Sequence, residues 1–417
     1  MDAREQRGQE IANTVTLRKK GDRWVVASQS GDDAYTVDLT GTLPTCTCPD
    51  HTIRQMKCKH IFAVEFTVCR EITHRAEIAS NGTTTLTTTV KETKTARFTY
   101  RQDWPAYNLA QTHEGERFPE LLHGLCAGII QPRQTMGRPR LALADVVFAA
   151  VVKVYSTFSG RRAISATRAL QDDGFLSRTP CYNSTFNYLE DPTLTPLLKA
   201  LIEESASPLK AVETDFSVDS SGFTTSRFLR WYDAKYGKMH KEHEWLKCHL
   251  MVGVQTNIVT SAEITPAEAN DSPHLRPLVA ATVKRFKPKE ISADKGYISN
   301  KNLEAIAATG AVPYVPFKVN TTGEGPELWR RLFHFYSFNR ETFLEHYHKR
   351  SNVETTFSMV RGKFGDAVRS KTFTAQVNEI LCKVLAHNIC VLIGSIYELG
   401  IEPTFWAEST VAHKVTV

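Results

Sequence analysis

Tyr347-His-Lys-Arg350-Ser-Asn-Val-Glu354-Thr-Thr-Phe357-Ser-Met-Val360-Arg361 spaces a phenol, two guanidinium groups and a carboxylate three, four and seven residues apart. On an α-helix such intervals bring side chains onto one face. The stretch therefore reads as one helix, with Tyr347, Arg350, Glu354 and Arg361 in a stripe and Phe357 and Val360 packing beneath. A lone acid flanked by cations suits a divalent metal with phosphates held beside it. Two other acids sit at recognisable places upstream: Asp294 in Ala293-Asp-Lys-Gly-Tyr297, and Asp219 in Val218-Asp-Ser-Ser-Gly222. Three separated acids of this kind point to metal-dependent chemistry on nucleic acid.

The 417 residues suffice for two or three domains, and 41% hydrophobic with 23% charged residues is a globular composition. A net charge of +6 suits a polyanionic partner without requiring one. The first ten residues have no apolar core and do not read as a signal peptide. The greasy run from Ile389 to Ile401 is interrupted by Gly394, Ser395 and Glu398 and reads as too short and polar for a membrane span. Nine cysteines, most of them scattered singly, do not form a disulfide framework, so a reducing cytoplasm is expected.

Five segments are expected. Residues 1–80 hold short alternating strands (Thr14–Leu17, Trp24–Ala27, Ala34–Leu39), a cysteine cluster and a helix from Ile61 to Cys69. The threonine-rich 81–104 reads as a linker, or else an exposed strand. Residues 105–205 look helical. Paired short helices around Gly174 suit a DNA-binding helix-turn-helix or plain packing, with packing preferred. In 206–400 three strands (210–218, 246–255, 257–264) precede alternating helix and strand, which matches a ribonuclease H-like order. Residues 401–417 form a tail. The fold class is thus α/β, a ribonuclease H-like catalytic domain preceded by a helical domain and a small zinc-binding β+α module.

Cys46-Thr-Cys48, followed after nine residues by Cys58-Lys-His60, offers three thiolates and an imidazole, the usual closed set of a structural Zn2+ site. His51 is a spare ligand that fits the spacing less well. The pattern Cys-x-Cys-x9-Cys-x-His after a β meander resembles the SWIM zinc-finger family over residues 14 to 70. That resemblance implies recognition of DNA or protein and stability, not catalysis.

Strand alternation places Glu213, Asp215 and Asp219 on one face, so Asp215 competes with Asp219 as first acid. Asp219 is preferred because Asp-Ser-Ser-Gly reads as the place where a strand leaves its sheet. Asp294 follows the strand Glu290-Ile-Ser-Ala293, at a C-terminal strand end where ligands gather in α/β sheets. Three carboxylates offer oxygen ligands for Mg2+ or Mn2+.

From about residue 135 to 400 the chain resembles insertion-sequence transposases of the DDE type. Tyr347, Arg350 and Glu354 match their Tyr-x2-Arg-x3-Glu-x6-Lys signature, with Arg361 where the family has Lys. Asp294-Lys-Gly-Tyr297 and Asp219-Ser-Ser-Gly222 resemble the segments of the other two acids. Gln376 to Lys383 and His387-Asn388 resemble the closing helix. The resemblance implies catalysis and metal binding by Asp219, Asp294 and Glu354. It implies phosphate contacts by Arg350 and Arg361, and strand positioning by Tyr347. The implied activity is cleavage at transposon ends and transfer of the 3′ ends to target DNA. The implied partners are DNA and a second copy of the chain at the nucleoid, with no membrane. A non-catalytic DNA-binding regulator and a nuclease without strand transfer are the alternatives. Trp329, Phe333, Phe335, Tyr336 and Phe338 could stack on a flipped base or pack, packing being commoner. Gly137-Arg-Pro139 is a weak minor-groove hook. Arg227, Arg230, Lys284, Arg285, Lys287 and Lys289 are candidate backbone contacts.

Overall fold

The computed structural model describes residues 3–15, 17–28, 34–41, 43–54, 56–78, 84–94, 103–137, 139–225, 245–318 and 321–406. The chain divides into two compact units, Met1–Arg101 and Gln102–Val417.

The first unit opens with helix α1 (Ala3–Thr14), where a strand was expected around residues 14–17. Ile11 of this helix is fully buried, and a helical face built on it takes the chain into the core. An antiparallel sheet follows in the order β1 (Arg18–Lys20), β2 (Arg23–Ala27), β3 (Ala34–Asp38), β4 (Thr45–Cys46). Trp24, Val26 and Val37 face inward by strand alternation. Helix α2 (Pro49–Arg54) follows with no buried residue, and α3 (Lys59–Thr67) puts Ile61, Ala63 and Val64 into the core with the sheet. A side-chain carbon at Gly8 would lie 2.4 Å from Cβ of Phe62, so glycine is what lets α1 approach α3. Strands β5 (Val68–Ile78) and β6 (Thr84–Lys94) pair as an antiparallel ribbon. The threonine-rich run is therefore strand rather than linker over 84–94. β-branched threonines suit a pleated strand.

The second unit begins with α4 (Trp104–Cys126), α5 (Leu143–Tyr155), α6 (Gly160–Asp172), α7 (Tyr182–Leu189) and α8 (Leu194–Ala206). Strands β7 (Asp215–Thr224), β8 (Trp245–Gly253) and β9 (Val259–Pro266) follow, then α9 (Leu275–Thr282), β10 (Glu290–Ala293), α10 (Asn300–Ala307) and β11 (Val312–Tyr314). The unit closes with α11 (Glu327–Phe338), α12 (Arg340–Tyr347), α13 (Ser351–Phe364) and α14 (Phe373–Leu399). The sheet order is β11-β10-β7-β8-β9, with β7, β8 and β9 antiparallel and β10 and β11 parallel to β7. Order and directions match a ribonuclease H-like fold.

Apolar cores cover both faces of this sheet. Phe216, Val218, Met251 and Ile291 pack with α9 and α10, while Phe223, Cys248, Leu250 and Val252 pack with α5, α8, α13 and α14. The helical segment and the sheet thus share one core and do not form separate domains. α14 has the length and apolarity of a membrane span, contrary to the expectation for this region, but most of it is buried inside the unit. Its polar residues make the joints. Asn388 accepts from the Val259 N–H at 2.9 Å and donates to the Val259 carbonyl (2.7 Å) and Ser205 Oγ (2.9 Å). Asn378 donates to the Leu189 carbonyl at 2.9 Å. Past α14 the chain docks, because the Trp406 indole donates to the Leu125 carbonyl at 3.1 Å and its ring lies over Gly128. The expected tail is thus seated as far as residue 406.

Candidate active site

The opening stretch is not one helix. α12 ends at Tyr347, a 3-10 turn carries His348–Arg350, and α13 starts at Ser351. A 3-10 turn winds tighter than an α-helix, so neighbouring side chains here diverge to separate partners. Lys349 turns to Asp215 and Glu290, at 2.7 Å from each carboxylate. Arg350 instead reaches Asp219 and, at 2.7 Å, Oε1 of Glu354.

Asp219 lies in the middle of β7, opposite Leu250 of β8, and not where the strand ends. Alternation turns Val218 into the apolar core and Asp219 to the other side, where α13 crosses. Asp294 follows β10, the strand beside β7, and accepts from the Gly296 N–H at 3.3 Å. The Tyr347 hydroxyl lies 3.4 Å from Oδ1 of Asp294. Strand, loop and helix thus bring Asp219, Asp294 and Glu354 around Arg350 and Tyr347. Asp215, left open as a competitor, is held by Lys349 in a second network with Glu290, whose Oε2 is 2.9 Å from His346 Nδ1. Glu213 is buried away from the site, accepting from the Thr256 N–H (2.6 Å) and hydroxyl (2.7 Å).

Burial raises the Asp219 carboxyl to about 6, and the charges of Asp294 and Glu354 add to the rise against the opposing Arg350 and Ser220 N–H. Burial likewise pushes the Tyr347 phenol up to about 12. Arg350 is held above its ordinary range despite burial by Tyr347, Asp219 and Glu354.

Arg361 does not point into this cluster. Its guanidinium donates to Ser221 Oγ and to the Gly222 carbonyl (2.7 Å), and it lies over the rings of Phe223 and Phe357. Lys284 and Arg285 are ion-paired with Glu203 (3.1 Å) and Glu204 (2.7 Å) of α8. Arg227 and Arg230 lie outside the described residues, as does Arg138 of the hook. Most of the aromatic set packs: Phe317 meets Trp329 at 4.9 Å and Phe333 at 5.3 Å, and Tyr336 meets Phe343 at 5.0 Å. Phe338 stays exposed.

Two residues beside the site escaped the sequence reading. Asp271, before α9, accepts from the Ser220 hydroxyl and the Lys247 ammonium, each at 3.1 Å. Asn270-Asp271-Ser-Pro273 reads as a helix start, which gives no hint of this placement. Lys247 on β8 is a lone cation in an apolar strand, and that anomaly was the available signal.

In the first unit Cys46, Cys48, Cys58 and His60 are buried, with ligand atoms all within 4.8 Å of one another. Among the described residues this is the one such group of three or more. His60 Nδ1 lies 3.9 Å from the sulfurs of both Cys46 and Cys58. Ligands about 2.0–2.3 Å from a shared zinc ion would stand at roughly such separations in a tetrahedron. Cys58 is drawn below the ordinary thiol range by its hydrogen bonds from Cys46, His60 and the Ile61 N–H, and Cys46 is raised correspondingly. His51 turns away, its Nδ1 2.8 Å from the Met56 carbonyl.

Residues 210–389 match the family model described as Transposase DDE domain. This span contains the whole five-stranded sheet and all three acids. A cryo-EM structure of a piggyBac transposase synaptic complex with hairpin DNA aligns with 68% of this chain and 76% of its own, at 10% identity and a TM-score of 0.34. No curated protein matches the chain.

Proposed function

We propose that the protein is a DDE transposase whose site is built from Asp219, Asp294 and Glu354. The observation that carries this reading is the meeting of the three acids around Arg350 on a ribonuclease H-like sheet, inside the segment similar to transposase DDE domains. An all-oxygen donor set suits Mg2+ or Mn2+. The ion's chemistry would be to make the attacking oxygen a better nucleophile and to stabilise the leaving one. The three carboxylates would hold it, which requires Arg350 to release Asp219, Glu354 or both.

The chain's own residues divide the remaining work. Arg350, released from the acids, binds a phosphate oxygen of the strand being cut. Tyr347 packs against that strand while staying beside Asp294. Arg361 acts as a strut that fixes α13 on β7 and so sets the position of Glu354. In the first step a water oxygen bonds to phosphorus and the 3′ oxygen departs, taking a proton. In the second the freed 3′ hydroxyl attacks a target phosphodiester and displaces its 3′ oxygen. One site serves both, because only the nucleophile changes. Arg161, Arg162 and Arg168 on exposed positions of α6 form no ion pair among the described residues and supply a surface for duplex DNA. Two copies of the chain would handle the two DNA ends. The Cys46–Cys48–Cys58–His60 set holds Zn2+ and stabilises a SWIM-type recognition module.

The test uses duplexes from both flanks of the gene, labelled, with Mg2+ or Mn2+. Cleavage and joining are expected for the intact chain and neither for Asp219→Ala, Asp294→Ala or Glu354→Ala. Activity surviving Glu354→Ala would sink the mechanism. Cutting without joining would make the protein a nuclease.

A further inference from the structure

Asp271 stands outside the three acids, yet it touches the elements that carry two of them. Its Oδ1 accepts from Ser220 Oγ, and Ser220 directly follows Asp219 on β7. A carbon added to Gly296 would lie 3.3 Å from Oδ2 of Asp271 and 3.7 Å from Oδ2 of Asp294. The two carboxylates therefore approach each other across a bare backbone carbon in the turn after β10. Lys247 balances the charge: its ammonium donates to Asp271 and, at 2.9 Å, to the Ala269 carbonyl, which pins the loop between β9 and α9. The same side of the sheet is braced further, since His249, the cross-strand partner of Ser220, has its Nδ1 3.8 Å from Oδ1 of Asp271. Buried Tyr297, in the same turn as Gly296, lies 3.0 Å from Nδ1 of His249, whose Nε2 is 3.1 Å from Thr265 Oγ1.

We propose that Asp271 is a positioning residue that sets the separation of Asp219 and Asp294 through Ser220 on one strand and the Gly296 turn on the other. The proposal rests on the reading of Asp219, Asp294 and Glu354 as a divalent-metal site. Groups that orient ligands without touching the ion commonly contribute ten- to a hundredfold in affinity. An asparagine at 271 can still accept from Ser220 and Lys247 through its carbonyl oxygen, whereas alanine cannot.

The experiment titrates Mn2+ into the full-length, DNA-free protein and counts bound ion by electron paramagnetic resonance, alongside the melting temperature. The zinc set contributes a constant background. Asp271→Ala is expected to weaken Mn2+ binding about tenfold. Asp271→Asn should restore most of that loss, and Ser220→Ala should fall between them. Asp219→Ala, the control for the underlying reading, should abolish the site. Wild-type Mn2+ affinity in both Asp271→Ala and Ser220→Ala would overturn the proposal while leaving the site reading intact. A loss in Asp271→Asn as large as in Asp271→Ala would also overturn it, because charge and not positioning would then be at work. If Asp271→Ala does not fold, wild-type Mn2+ affinity in Ser220→Ala, or a loss of about tenfold in Asp271→Asn, overturns the proposal, and a loss in Ser220→Ala with near wild-type affinity in Asp271→Asn supports it. Unchanged binding in Asp219→Ala would instead remove the reading beneath it.

Discussion

Asp219 carries a carboxyl group that its surroundings hold well above the ordinary range. Its carboxyl sits near 6 in the fold against 3.8 for the ordinary group, chiefly through burial. The folded state therefore holds this proton more tightly than the unfolded chain, and stability falls as pH rises through the window from about 4 to about 6. A rise of that size corresponds to about 2–3 kcal/mol. Asp219→Asn removes the penalty, so its melting temperature relative to wild type should climb between pH 4.5 and 7.5 in metal-free protein. A pH-independent difference in a thermal-shift series would contradict this. Added Mn2+ should erase most of the gap by stabilising only the wild type. The motifs around Asp219, Asp294 and Glu354 are legible in the sequence, with Asp215 competing for the first place, and the fold brings the three acids together around Arg350 and Tyr347. Sequence spacing could not separate Arg350 from Arg361. Both lie on the expected stripe, and only the crossing of α13 over β7 shows that one guanidinium meets acids and the other a backbone carbonyl.

Among the elements, α13 carries Glu354 and α14 braces the corner where α13 ends. α13 ends at Gly365, whose φ of +81° and ψ of 154° belong to backbone that only glycine adopts readily. Gly365→Ala should cost about 1–3 kcal/mol in urea denaturation. It should also lower cleavage, because Glu354 rides on that helix. A second device holds the same corner. The Lys383 ammonium donates to the Gly365 and Ala367 carbonyls at 2.7 and 2.9 Å. Asn388→Leu would leave the Val259 amide and carbonyl without their side-chain partner inside the core. The loss should be about 2–4 kcal/mol, summed over two buried groups at roughly 1–2 each, as read from a denaturant midpoint. Strand and helix existence was legible in this region because apolar periodicity is strong. The single-helix reading of 347–361 failed because residue types and their spacing do not show where the winding tightens into a 3-10 turn. Its cause is tertiary, with Lys349 and Arg350 drawn to different acids. The 84–94 strand was obscured because threonine suits both exposed strands and linkers.

At the scale of the whole molecule, the zinc-type cluster and the three acids belong to different units. Full-length protein is therefore expected to contain one zinc per chain by elemental analysis. Cys58→Ser or a strong chelator should lower one calorimetric transition and leave the other in place. A single transition that moves as a whole would argue against separate stability. The helical segment was expected as a domain of its own. Its residues looked self-sufficient because a helix pattern shows which face is apolar but not which element covers it. The cover is α14, and this has a consequence for how the protein is made. α8 is complete at residue 206, whereas α14 begins at residue 373, about 170 residues later. At roughly 5–20 residues per second of synthesis, the part of the apolar side of α4, α5 and α8 that α14 covers waits roughly 10–30 s for its partner, while β7 to β9 become available much sooner. The site can assemble only after the chain has grown past it.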